Sequence, residues 1–120
     1  MDIPTLGVTL NNENITVEKG CYSWSEGVES VTTDASSPDQ IADKMEGNKI
    51  KPNSELALNF SKIPSIVRVV DWSESKNNSF AFDNDKILVP NDNGIYIYEI
   101  IGEWEDGQAS FTIKLIVSDE

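Results

Sequence analysis

The residues of this chain best suited to chemistry are three tryptophans, a run of carboxylates near the C-terminus and several oxygen-rich turns. Trp24, Trp72 and Trp104 each present a ring face able to stack on a sugar. Trp24 and Trp72 fall near the ends of predicted strands, where an indole can stay half exposed. They are therefore the candidate ligand-binding residues for a carbohydrate platform, although packing in the core is the simpler use of the same side chains. Trp104 falls on a predicted core face. Glu99, Glu103 and Glu105 lie close together, and Glu99 and Glu103 share one strand face. A solvated carboxylate opposite a lysine has no raised pKa with which to act as an acid. The chain has no histidine, so a serine nucleophile lacks its usual base and a metal ion lacks an imidazole ligand. No catalytic residue is assigned, and no enzyme is expected.

The turns Asp83-Asn84-Asp85 and Asn91-Asp92-Asn93-Gly94, with Asp71 and Glu74 beside another turn, offer oxygen ligands. Calcium wants about six to eight converging oxygens, and neither loop has the EF-hand spacing with its closing glutamate. Asn and Asp also recur in turns because their side chains bond their own backbone. No metal and no cofactor is assigned, with a calcium-stabilised spacer kept as a third functional reading. Cys21 stands alone, so no internal disulfide or cysteine zinc cluster can form. It is expected as a small buried hydrophobe.

Composition narrows the partners. Nine basic residues, of which only Arg68 is an arginine, face 21 acidic ones, for a net charge of −12. Binding nucleic acid needs clustered cations, so no nucleic-acid partner is expected. No apolar run reaches the ~18 residues of a membrane helix, so no transmembrane segment is expected. The start, Met1-Asp2-Ile3-Pro4-Thr5, lacks the features of a signal peptide, which reads as cytoplasmic; an exported chain without its leader would look the same.

The elements that position these residues are mostly strands. Residues 94–104 and 109–117 alternate sharply around Glu105-Asp106-Gly107-Gln108. Asp106-Gly107 at the centre of a two-residue loop predicts a type I′ hairpin. That turn sets Trp104 opposite Ala109, Gly102 opposite Phe111, Ile100 opposite Ile113, Tyr98 opposite Leu115 and Tyr96 opposite Val117, all on the core face. Phe111 then covers bare Gly102, Glu99 pairs with Lys114, and Ser110 and Thr112 face solvent. Further strands are predicted at 5–10, at 14–24 with a bulge at Lys19-Gly20, and at 56–60, 66–72, 80–82 and 87–89. Ser37, Pro38 and Gln40 predict a capped helix of one or two turns, carrying Ile41, Ala42 and Met45 and closed by Gly47. The sum is a single domain over residues 1–120. Its fold class is an all-β antiparallel sandwich of about seven or eight strands with one short helix, immunoglobulin-like by preference.

Three segments carry a resemblance. Glu18-Lys19-Gly20-Cys21-Tyr22-Ser23-Trp24 reads as an opening aromatic strand. Val89-Pro90 is followed by Gly94-Ile95-Tyr96-Ile97-Tyr98-Glu99-Ile100, and then comes Trp104-Glu105-Asp106-Gly107-Gln108-Ala109. Together they resemble poorly characterised extracytoplasmic immunoglobulin-like domains of Gram-positive, Bacillus-type lipoproteins and of envelope proteins associated with membrane-bound metallopeptidase sensors. Cys21 departs from that pattern, where threonine or a similar residue is expected. The resemblance implies an exported module, secreted or membrane-tethered, that binds or senses a protein or cell-wall partner. It supplies no catalytic residues. One stripe adds to this. The outer face of the hairpin bears Ile97, Ile101 and Ile116, with Ile97 predicted opposite Ile116. The 25–50 segment and its helix are expected to cover the stripe; left bare, it marks an interaction surface.

Overall fold

Alternating burial along the chain yields eleven strands and one helix in the computed structural model, which describes residues 3–33, 37–72, 81–83, 85–89 and 92–119. In order these are β1 (Leu6–Leu10), β2 (Glu13–Ile15), β3 (Glu18–Glu26), β4 (Glu29–Thr33), α1 (Pro38–Asp43), β5 (Asn48–Ile50), β6 (Glu55–Phe60), β7 (Ile66–Asp71), β8 (Ala81–Asp83), β9 (Lys86–Leu88), β10 (Gly94–Trp104) and β11 (Gly107–Val117). The first sheet runs β2-β1-β6-β9-β8; the second runs β4-β3-β11-β10-β7, with β5 also on β11. Every ladder is antiparallel except β5 with β11. One apolar cluster joins Val8, Leu56, Leu58 and Ile87 of the first sheet to Trp24, Ile100, Phe111 and Ile113 of the second. The chain is an all-β sandwich.

The β10–β11 hairpin keeps its expected faces but not its expected register. Trp104 pairs with Gly107, Gly102 with Ala109, Ile100 with Phe111, Tyr98 with Ile113 and Tyr96 with Leu115. The loop is therefore Glu105-Asp106, and neither residue has positive φ, so the turn is not type I′. The reason lies outside the hairpin. A Cβ on Gly107 would collide with Ser23 O and meet Trp24 Cα at 2.9 Å, so this glycine serves the close passage of β3, not the turn. Because the slip is two residues, every side chain stays on its face. Tyr96, Tyr98, Ile100, Trp104, Phe111, Ile113 and Leu115 are buried. The partners change: Glu99 faces Thr112, Lys114 faces Ile97, and Ile116 faces Ile95. Gly102 lies against the rings of Trp104 and Phe60, not Phe111.

The bulge predicted in β3 is present opposite Ser110. Ala109 pairs with Tyr22 and Phe111 with Lys19, leaving Gly20 and Cys21 across from a single residue. Gly20 lacks the Cβ that would strike Ser110 Oγ, and Ser110 Oγ accepts the Cys21 amide at 3.1 Å. The extra residue turns Cys21 outward, so it is exposed and not a core hydrophobe.

Beyond the bulge β3 follows β11 as far as Glu18 opposite Thr112, and β5 takes over the same edge at 115–117. Asn48 joins the two: its Nδ2 donates to Lys114 O, and its Oδ1 accepts the Thr16 amide, both at 3.0 Å. Strands β4 and β5 are additions to those expected from sequence, and the strand expected at 14–24 divides into β2 and β3. The short helix forms with Pro38 in its first turn, but Ser37 donates to Asp39 and makes no capping bond to the backbone. It packs on β10, β11 and β3, on the sheet's outer face. Lys114 Nζ reaches up to donate to the carbonyls of Ala42 at 3.1 Å and Met45 at 3.2 Å, at the helix's negative end. Ser110 and Thr112, expected in solvent, are consequently buried.

Candidate functional site

The second sheet has two outer halves. Over β11 lie α1 and Gly47, where a Cβ would meet Ile116 Cδ1 at 2.9 Å. Ile97, Ile101 and Ile116 are each half-buried. The stripe they form is thus partly sheltered, with Ile116 nearest the cover.

Over β7 the face stays open. Alternation turns Ile66, Arg68, Val70 and Trp72 outward, and β10 sets Glu103, Ile101 and Glu99 opposite Ile66, Arg68 and Val70. The Trp72 amide donates to Ile97 O at 2.7 Å and carries the pairing one residue past β7. The charges on this half are engaged within the sheet. Arg68 Nε lies 3.1 Å from Glu103 Oε2, and Trp72 Nε1 donates to Glu99 Oε1 at 3.1 Å. What remains bare is apolar: Ile66 is 53% exposed, Val70 41%, Trp72 39% and Ile95, farther along β10, 55%. Among the described residues β7 is an edge of the sheet, and its inward residues Val67 and Val69 are only half-buried. Beneath it opens a groove of about 640 Å³, lined among others by Leu58, Phe60, Ile63, Val67 and Asp85. Ile63 stands almost fully exposed at its mouth.

The tryptophans divide by position. Trp24 is 1% exposed; its Nε1 donates to Glu26 Oε1 at 2.9 Å, and its ring meets Trp104 edge-on at 5.6 Å between centroids. Burial leaves no ring face for a ligand, so Trp24 is withdrawn from the carbohydrate platform. Trp104 donates to Lys62 O at 2.9 Å and packs edge-on against Phe60 at 5.8 Å, as its predicted core face requires. Trp72 alone among the three offers a ring to solvent.

The oxygen-rich turns do other work. Tyr96 OH donates to Asp92 O at 2.8 Å, and Asn93 Nδ2 to Asp119 Oδ1 at 3.3 Å. Asn84, Asn91 and Glu74 lie outside the described residues. Among the described residues no group of three Asp, Glu, Cys or His is placed to hold a metal. Burial, then the nearby carboxylates of Asp92 and Asp71, raises the Tyr96 phenol above its ordinary pKa; burial chiefly raises Tyr98, with Asp71 adding to it. Both phenols stay neutral at physiological pH. Sequence reasoning passed over one spacing, Ser73 with Lys76, which matches a serine–lysine pair, and it lies outside the described residues. It also passed over the β7 row as a unit, although Ile66, Val70 and Trp72 recur at the two-residue strand period that would have revealed it.

No family model, curated protein or solved structure matches the chain.

Proposed function

We propose that this chain is a non-catalytic, immunoglobulin-like binding or sensing module of a bacterial envelope protein, working outside the cytoplasm through the outer face of β7 and β10. The observation that carries the reading is the bare apolar row Ile66, Val70, Trp72 and Ile95 on a sheet face whose other half is covered. The immunoglobulin-like assignment is supported by strand order. β1-β6-β9-β8 faces β11-β10-β7, with β5 parallel on β11 and the β2–β4 strands and α1 inserted ahead of it. The Tyr96 hydroxyl bound to the backbone four residues upstream, at the start of β10, supports it as well. The extracytoplasmic placement rests on the motif resemblance at residues 18–24, 89–100 and 104–109. The absence of catalysis is supported by the use of Glu99 and Glu103 as acceptors for Trp72 and Arg68.

A second reading, carbohydrate binding, keeps one supporting observation: the exposed Trp72 ring lies beside the Glu99 carboxylate, so a stacked sugar would find an acceptor for its hydroxyls. Iodide and acrylamide quenching of native protein and of Trp72→Phe tests the shared premise. One accessible indole is expected in the native protein and none in the variant. Three protected indoles would mean that the surface is covered, and both readings would fail.

A further inference from the structure

We infer that the flank of β7 receives an extended, basic peptide segment as an added strand. The inference rests on the reading of this flank as the contact surface, and it goes on to name the partner. Among the described residues β7 pairs only with β10; with Trp72 bonded to Ile97, the strand alternation directs the backbone groups of Val67 and Val69 to the other edge, where an incoming strand can meet them. An added strand points alternate side chains to opposite faces. Here both faces of the edge are prepared for that. Outward-pointing side chains would meet Ile66, Val70 and Trp72; inward-pointing ones would enter the groove by Val67, Phe60 and Ile63. The half-exposure of Val67 and Val69, on a face where the neighbouring Ile100 is fully buried, is what an unfilled strand position leaves behind.

Charge selects the occupant. Asp85 lines the groove and Glu99 and Glu103 stand in the row, while Arg68 is held by Glu103. A carboxylate has room for about four hydrogen bonds, so both glutamates can still receive donors from a partner. The whole chain carries −12. A second copy brings the same charge and is repelled, whereas a strand alternating basic and apolar residues can set its basic side chains outward, their stems over Ile66, Val70 and Trp72 and their charges toward Glu99 and Glu103, and its apolar ones inward to the groove by Phe60 and Val67.

The probe is a capped peptide of alternating lysine and valine, matched in length to β7, beside the same peptide with glutamate for lysine. Tryptophan emission and amide exchange are followed in the native protein and in Val70→Lys. The substitution changes an exposed side chain, and an unchanged urea midpoint confirms that the variant folds. Expected are saturable binding of the lysine peptide, slowed exchange of β7 amides, weakening as salt rises, and at least tenfold weaker binding to Val70→Lys. Binding of both peptides alike overturns the charge argument. Binding of the lysine peptide that ignores Val70→Lys and leaves β7 amides unprotected is diffuse attraction and overturns the strand. No binding of either peptide overturns the inference; if iodide still reaches Trp72, the contact-surface reading survives it. Self-association through β7, or a polysaccharide in place of the peptide, would likewise overturn it.

Discussion

Along β11 and along β7 the second sheet presents the same two-residue alternation to its outer side, yet only the β11 half acquires a cover. The difference lies in how polar groups are met. Over β11 the cover is α1, a helix of six residues, far too short to hold itself in water. Lys114 rises from the sheet to bond two carbonyls at its C-terminal end, so the half-buried ammonium and the helix end satisfy one another. Over β7 the polar side chains are satisfied in the plane of the sheet, Glu103 by Arg68 and Glu99 by Trp72. The apolar side chains between them stay bare. The covered face is thus built with a hydrogen-bonding tether, whereas the polar side chains named over β7 bond one another within the sheet.

The largest expected effect separates the two exposed-or-buried indoles. Trp24→Ala removes a ring that is packed against Trp104 and closes the sandwich near the hairpin loop. A loss of about 3–5 kcal/mol is expected from urea unfolding. A loss below about 1 kcal/mol would show that this end of the core is loosely packed and would remove the contrast with Trp72.

Next is the tether. Lys114→Met keeps the apolar stem and deletes the charged donor to Ala42 and Met45. Two carbonyls lose a charged donor, with an expected cost of about 1.5–3 kcal/mol. Faster amide exchange at residues 41–45 and new accessibility at Ile116 are the specific signs. If exchange in α1 is unaltered, apolar contact alone holds the cover, and the comparison with the β7 half loses its cause.

The inner face of β10 supplies a pH dependence. Burial raises the Tyr96 and Tyr98 phenols, so the folded protein keeps two protons that the unfolded chain releases above about pH 10. The stabilisation is complete below that pH and is lost as pH climbs toward the folded values. Tyr98, the more strongly raised of the two, contributes a slope of about 1.4 kcal/mol per pH unit over that range. Urea midpoints measured up to about pH 11 should fall, and Tyr98→Phe should remove most of the fall. A flat profile would mean that both phenols reach water.

The core face of the hairpin was legible from sequence because alternation survives a two-residue slip. Tyr96 through Trp104 and Ala109 through Val117 keep their sides although every partner changes. The turn was misread because Gly107 has two possible uses in the chain, and only the approach of β3 shows which applies. The bulge at Gly20 was foreseen, but its consequence for Cys21 depends on Ser110, far away in sequence. β5 was not legible: Asn-Lys-Ile has no strand signature, and its place is set by Asn48 bridging Thr16 and Lys114. The existence of α1 followed from Ser37-Pro38, whereas its site on the sheet depends on Lys114. Of the candidate site, Trp72 was singled out by residue type, and its neighbours Ile66 and Val70 were read only as a β-branched strand.

The smallest stability effect is expected at Trp72, and it bears most on function. The indole is half in water, and its one described side-chain bond, to Glu99, is solvent-exposed. Trp72→Ala should cost no more than about 1 kcal/mol, the scale of an exposed hydrogen bond. Its backbone bond to Ile97 survives the substitution, so the end of β7 stays anchored. A nearly unchanged urea midpoint with loss of the quenchable fluorescence would place this ring where only a partner can use it. A cost approaching that of Trp24→Ala would show instead that Trp72 supports the sheet, and the β7 half would then differ from the β11 half only in how it is packed.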